Sequence, residues 1–170
     1  MFGPDDEAKY EQALQGELGN CWLVVAAASI AEDPDRIHDI VEIDVKNSVG
    51  IYATSMYLLG MPITVIVDDY LPIEPMDNSQ TRYAQVPEDG ALWGPILEKT
   101  FAKYLGNYEA IDAGVASHGI EALLGSPYNN WTHAELLDEG RTEELWDAMV
   151  AADNSNKMIS CGSYTGTGSD

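Results

Sequence analysis

The chain has 170 residues, 45% of them hydrophobic, with 8 Lys or Arg against 29 Asp or Glu and a formal net charge of −21. This length predicts one domain whose core needs no disulfide or metal, and the acidity argues against nucleic acid as a partner because phosphate binding needs a basic face. No apolar run reaches the roughly 18 residues of a membrane span, and the acidic start is unlike a signal peptide. We therefore expect a cytoplasmic protein. Two cysteines, Cys21 and Cys161, cannot form a disulfide framework.

Hydrophobic periodicity and turn residues predict an α+β fold, in which a buried central helix is packed by other helices and by a small antiparallel hairpin. The apolar positions of the last helix, Leu145 to Val150 and including Trp146, are expected to face inward. In chain order the predicted elements are a helical turn at 7–10, helices at 21–31 and 35–41, strands at 51–59 and 63–67 around a turn at 60–62, a short strand at 82–86, helices at 92–105, 117–124 and 142–152, a closing strand at 157–163 and a terminal loop.

The octapeptide Gln15-Gly16-Glu17-Leu18-Gly19-Asn20-Cys21-Trp22 precedes an apolar run and carries the most specific chemistry in the chain. Asn20 is a favoured N-cap, which would place Cys21 at the first helical position. There the free N–H groups and the macrodipole favour a thiolate over a thiol. The same amides, with the Gln15 side chain as a second donor, could receive a developing oxyanion. A nucleophilic cysteine and a buried structural cysteine both fit this pattern.

The octapeptide resembles the signature Gln-Gly-any-Leu-Gly-any-Cys-Trp of the calpain family of papain-like cysteine proteases. Further motifs match in the same order along the chain, so the resemblance covers most of it. These are Gly50-Ile51-Tyr52, Gly60, Val65-Ile66-Val67-Asp68-Asp69-Tyr70-Leu71-Pro72, Leu92-Trp93 through Tyr104, and Gly106-Asn107-Tyr108-Glu109-Ala110.

The resemblance implies a papain-like, nucleophile-bearing lobe that acts on protein substrates. Cys21 would be the nucleophile, and Gln15 with the Cys21 backbone amide would form the oxyanion hole. Gly114 would lie in the strip that meets the substrate backbone, and Trp22 would pack at the cleft between two subdomains. The alternative is a catalytically silent module of the same family that binds or regulates other proteins.

A papain-like site also needs a histidine base and a group that orients it. Calpains carry both in a second subdomain, within Gly-His-Ala and Asn-Pro-Trp stretches that these 170 residues do not contain. His38, His118 and His133 are expected to be ordinary surface or capping histidines. We therefore expect residues 1–170 to be the first subdomain of the protease core, to need the second subdomain as a partner, and to be inactive alone.

Calcium is possible by the same resemblance, because typical calcium-dependent members bind an ion in this subdomain. Two of the acidic ligand positions read Gln12 and Ala91 here, and calcium needs several hard oxygen ligands. We expect no strong site and assign no metal ligand. Ala113 stands where many members have the first of two glycines. Cys161 is expected to be buried in the closing strand.

Overall fold

The computed structural model describes residues 1–43 and 45–162. The chain forms two compact units, Met1–Asn129 and a second that begins at Asn130. In the first unit, short 3-10 helices at Tyr10–Gln12 and Glu109–Ile111 accompany four α-helices and four strands. The helices are α1 (Cys21–Ile30), α2 (Pro34–Ile40), α3 (Trp93–Leu105) and α4 (Ala116–Leu124), and the strands are β1 (Ile51–Leu58), β2 (Met61–Asp68), β3 (Ile73–Glu74) and β4 (Asp77–Thr81).

Helix α1 is the centre of the first unit and packs on α2, α3 and α4. It buries Leu23, Ala26 and Ile30, and its alanines let α4 approach closely. At Gly119 of α4, an added Cβ would lie 2.8 Å from the Ala26 Cβ. A side chain larger than hydrogen there would push the two helices apart, so the central position of α1 depends on small residues at this crossing.

The first hairpin pairs β1 with β2, from Ile51 opposite Asp68 to Leu58 opposite Met61. Its turn is Leu59-Gly60, with φ values of 52° and 77°, which are typical of the two-residue turn that suits strand twist. The predicted turn at 60–62 was therefore one residue too late, and Pro62 lies within β2. Because β2 pairs on one side only among the described residues, its other edge leaves room for a residue without an N–H.

The second hairpin pairs β3 with β4 and corrects the predicted strand at 82–86. That segment instead makes a single antiparallel bridge, between Gln85 and Leu14. The predicted helical turn at 7–10 is also displaced, because the 3-10 helix begins at Tyr10. The segment 82–85 thus lies beside the chain that leads into the octapeptide, which places it next to the candidate site.

The second unit contains α5 (His133–Asp138), which the sequence analysis missed, and α6 (Thr142–Asp153). The predicted start of α6 is confirmed and the helix ends one residue later than predicted, but its predicted inward face is wrong: no residue of α6 is buried, and Trp146 is 66% exposed. Residues 157–162 form no strand, because no partner strand pairs with them in the described part of the chain, and Cys161 is exposed rather than buried. The rest of the predicted closing strand and terminal loop, 163–170, lies outside the described residues.

The α+β class predicted from the sequence is confirmed: in the first unit α2, α3 and α4 pack on α1, and the sheets are two small antiparallel hairpins. None of the helices that the structure describes is long and apolar enough to cross a bilayer.

Candidate active site

Cys21 is the first residue of α1, and its side chain is exposed. The backbone carbonyl of Asn20 accepts the N–H groups of Leu23 at 2.9 Å and Val24 at 3.2 Å, which closes the first turn of the helix. The thiol therefore stands at the positive end of the helix, as predicted, where free backbone N–H groups favour an anion.

Asn20 begins the helix differently from the prediction, because its side chain makes no capping hydrogen bond. The side chain is completely buried and its Nδ2 donates to the Glu98 Oε1 at 2.6 Å. Its Oδ1 accepts no hydrogen bond from any described residue. This hydrogen bond to a buried carboxylate is charge-assisted, and it holds the Asn20 side chain in the core, away from the backbone N–H groups that a capping oxygen would accept.

Glu98 lies on the buried face of α3, with 5% of its surface exposed. Its Oε2 accepts the backbone N–H of Ala84 at 2.8 Å, so the two oxygens bind two different segments of chain. Burial raises the pKa of the Glu98 carboxyl, and the hydrogen bonds from Ala84 and Asn20 oppose that rise. Burial and the nearby Glu98 also raise the pKa of Tyr108.

Gln15 is exposed, and its Nε2 donates to the Leu18 carbonyl oxygen at 2.7 Å, across the turn that precedes Cys21. The same turn packs against residues 82 and 83: the Glu17 N–H donates to the Arg82 carbonyl at 3.1 Å. A Cβ on Gly16 would collide with the Tyr83 carbonyl oxygen. A glycine is thus required where the two backbones meet.

Trp22 and Gly114 lie in contact, although they are 92 positions apart in the sequence. A Cβ on Gly114 would lie 2.5 Å from the Trp22 Cε2, so the glycine backbone covers the indole face. The indole is 8% exposed, and its Nε1 donates to the Ile111 carbonyl at 3.0 Å. These contacts hold the 111–114 segment next to the first turn of α1.

The Gly19 carbonyl binds this segment from the other side, because it accepts the Ala113 N–H at 2.9 Å. Ala113 has φ +62°, in the left-handed region that favours glycine. An alanine in this conformation is strained by roughly 1 kcal/mol. The backbone here therefore has the shape that a glycine would adopt without strain.

The structure brings Cys21, Trp22 and Gly114 together at the start of α1, and places Gln15 in the turn that leads into it. Neither histidine of the first unit is bonded to Cys21 among the described residues. His38 lies on the Phe2 ring at 4.0 Å between ring centroids, and His118 lies 5.9 Å from the Tyr128 ring. His133 begins α5 in the second unit.

Sequence reasoning did not single out Glu98 as a site residue. The signal was present, because Pro95, Glu98 and Ala102 follow each other at three- and four-residue spacing on one buried face of α3. A charged residue on an apolar helical face has to find buried partners, which is a reason to examine it.

An exposed thiol at the first residue of the buried central helix, in an α+β unit, is the arrangement that the sequence predicts for a papain-like lobe. The profile of calpain family cysteine proteases matches residues 2–169, and the chain therefore belongs to the calpain family.

Three curated calpains illustrate the similarity. Calpain-B of Drosophila melanogaster is 33% identical over 150 residues, which are 86% of this chain and 15% of that protein. The calpain-1 catalytic subunit of Homo sapiens is 32% identical over 123 residues, 71% of this chain and 17% of that protein. Calpain-type cysteine protease ADL1 of Oryza sativa subsp. japonica is 34% identical over 158 residues, 90% of this chain and 7% of that protein. The chain spans less than a fifth of the length of each of these relatives.

The two positions at which the resemblance implies calcium carboxylates do not fit the ion. Ala91 has no ligand atom in its side chain. Gln12 is 3% exposed, and every hydrogen-bonding position of its amide is occupied. Its Oε1 accepts from the Lys9 N–H at 2.9 Å and the Trp93 Nε1 at 2.6 Å, while its Nε2 donates to the Phe2 carbonyl at 3.1 Å and the Asp89 Oδ2 at 2.7 Å.

Both carboxylate oxygens of Asp89 also accept hydrogen bonds: Oδ2 from the Gln12 Nε2, and Oδ1 from the Ala91 N–H at 3.0 Å. The bonds from Gln12 and Ala91 lower the pKa of the Asp89 carboxyl. Elsewhere in the described ranges, no three His, Cys, Asp or Glu side chains are close enough together to hold a metal ion. The Gln12 side chain is thus engaged in hydrogen bonds to Phe2, Lys9, Asp89 and Trp93, and its oxygen is not free to bind an ion.

Proposed function

We propose that this chain is the nucleophile-bearing subdomain of a calpain-like cysteine endopeptidase. The Cys21 thiolate attacks the carbonyl carbon of a peptide bond in a protein substrate, and the carbonyl oxygen becomes an oxyanion. The Cys21 backbone N–H and the Gln15 side-chain amide donate to that oxyanion. Expulsion of the amine gives an acyl-enzyme, which water then hydrolyses.

The exposed thiol at the first residue of α1 is the observation that carries this proposal. The free backbone N–H groups at the helix terminus attract negative charge, and exposure gives a substrate access to the sulfur. One hydrogen of the Gln15 Nε2 is engaged by the Leu18 carbonyl, so the second is available to an oxyanion. Gly114 lies beside the same helical turn, and its backbone forms part of the strip that an extended peptide meets.

The proposal assigns the base and its orienting group to a second subdomain, since neither His38 nor His118 bonds to Cys21 among the described residues of the first unit. A thiol at a helix terminus without an imidazole partner lacks both the proton acceptor for attack and the proton donor for the leaving amine. Residues 1–170 on their own are then inactive as a peptidase, and the second subdomain is a required partner.

Cleavage of casein tests this proposal. We expect no Cys21-dependent cleavage by the 170-residue chain, and we expect cleavage when the chain is joined to the histidine-bearing subdomain of a related calpain. The matched control is Cys21→Ala in both forms, with Cys161→Ser as the second thiol variant. Cleavage by the isolated chain that Cys21→Ala abolishes would refute the need for a second subdomain. An inactive joined protein that folds would favour a silent binding module instead.

A further inference from the structure

Glu98 accepts hydrogen bonds from Asn20, the neighbour of Cys21, and from Ala84, whose segment is bonded to the chain around Gln15. Through its Oε1 it binds Asn20, the residue before Cys21, at 2.6 Å. Through its Oε2 it binds the Ala84 N–H at 2.8 Å. A single buried carboxylate therefore connects the start of α1 to the segment 82–85.

The segment 82–85 is in turn hydrogen-bonded to residues 14–17, which include Gln15. The Gln85 N–H donates to the Leu14 carbonyl at 3.0 Å, and the Glu17 N–H donates to the Arg82 carbonyl at 3.1 Å. Leu14 and Glu17, on either side of Gln15, are thus bonded to the segment 82–85. Within that segment, the Ala84 N–H donates to Glu98. The Cys21 end and the Gln15 end of the octapeptide have Glu98 in common.

We propose that Glu98 is a positioning residue that sets the distance between the Cys21 amide and the Gln15 side chain. It touches neither the thiol nor a substrate, and it acts through Asn20 on one side and Ala84 on the other. The inference rests on the proposed function, because the two groups it positions are the proposed oxyanion donors. Both donors have to converge on one oxygen, and a displacement of about 1 Å is enough to impair such a site.

The isosteric variant Glu98→Gln keeps this connection, whereas Glu98→Ala removes it. In Glu98→Gln the introduced amide oxygen still accepts the Ala84 N–H. The Asn20 amide can turn over, so that its Oδ1, which has no partner among the described residues, accepts the introduced N–H. The charge is lost but the geometry is kept, and this separates a positioning role from an electrostatic one.

Amide hydrogen exchange of the 170-residue chain is the primary test. Glu98→Ala should speed exchange about ten- to a hundredfold at the amides of Glu17, Leu23, Val24 and Gln85, and should leave the β1–β2 amides within about threefold of wild type. Glu98→Gln should stay within about threefold throughout. A uniform change across the first unit, or no change at the four amides, would overturn the proposal. So would a Glu98→Gln protein that exchanges like Glu98→Ala.

Asn20→Ala keeps the proposal testable if Glu98→Ala does not fold. It cuts the connection on one side, so we expect faster exchange at Leu23 and Val24 while Glu17 and Gln85 remain protected through Ala84. Faster exchange at all four amides, or at none, would overturn the proposal.

Alkylation of Cys21 by iodoacetamide adds a chemical readout, with the exposed Cys161 as internal control. The Cys21-to-Cys161 rate ratio should fall in Glu98→Ala and should equal or exceed wild type in Glu98→Gln. A ratio in Glu98→Ala at or above the wild-type ratio would count against positioning. Failure of the proposed function appears instead in the wild-type chain, as a ratio near one, and leaves the exchange result unaffected.

Discussion

Gly114→Ala is the substitution whose effect follows most directly from the geometry beside Cys21. The added methyl would lie 2.5 Å from the Trp22 Cε2 and 2.7 Å from its Cδ2 and Nε1. Carbon atoms in contact lie about 3.5 Å apart at the least, so the ring or the Gly114 backbone would have to move by about 1 Å.

The Trp22 ring cannot move away freely. Its Nε1 is bonded to the Ile111 carbonyl at 3.0 Å, and Phe101 contacts its edge at 5.9 Å between ring centroids. Adding atoms to a packed site of this kind costs about 1–3 kcal/mol of the free energy of unfolding. In a unit of this size that loss lowers the unfolding temperature by about 2–12 °C.

Thermal unfolding followed by circular dichroism measures this effect. Gly162→Ala is the matched control, because a Cβ at Gly162 meets no atom within 4 Å and the residue does not have a positive φ. In a Trp22→Phe background the added methyl should cost less, since part of the ring that it meets is gone. A Gly114→Ala protein that unfolds within about 1 °C of Gly162→Ala would refute close contact between Gly114 and the Trp22 indole.

Two further predictions concern buried polar groups. Because burial raises the pKa of the folded-state Glu98 carboxyl above its ordinary value of 4.5, its contribution to stability is fully present below that value and is lost as the pH rises through the folded-state pKa. Glu98→Gln should therefore gain stability relative to wild type between pH 4 and pH 7 in urea titrations, and a constant difference across that range would contradict the buried carboxylate. For calcium, a micromolar site would add about 4 kcal/mol at 1 mM ion. With the Gln12 amide fully engaged we expect the unfolding temperature to be the same in 1 mM calcium, 1 mM magnesium and EDTA, and a rise of several degrees specific to calcium would show that the ion binds.

The parts of the fold that could be predicted from sequence are those in which local pattern and tertiary environment agree. The first unit shows this in α1, α3 and the β1–β2 hairpin, whose apolar spacing matches the faces they bury. Helix α6 shows the opposite case. Its apolar residues have helical spacing, but spacing cannot say whether a partner covers that face, and Trp146 remains exposed.

The candidate site divides in the same way. The position of Cys21 at the start of α1 follows from local signals, namely the glycine turn, Asn20 and the apolar run. The role of the Asn20 side chain does not, because the Glu98 carboxylate that accepts its Nδ2 hydrogen bond lies 78 positions away in the sequence. The strain at Ala113 was also beyond local reasoning, since it arises where the 111–114 segment is bonded to Gly19.

Selective alkylation of Cys21 in the wild-type chain is the most direct test of the claim that this residue is an activated nucleophile. Cys21 and Cys161 are both exposed, so differences in access are small and the environment of the thiol decides the rate. At an exposed helix N-terminus an anion is stabilised by about 0.3–1 kcal/mol, and we therefore predict that iodoacetamide at pH 7 modifies Cys21 about 2- to 5-fold faster than Cys161 and a free model thiol. Equal rates at Cys21, Cys161 and the model thiol would contradict the account.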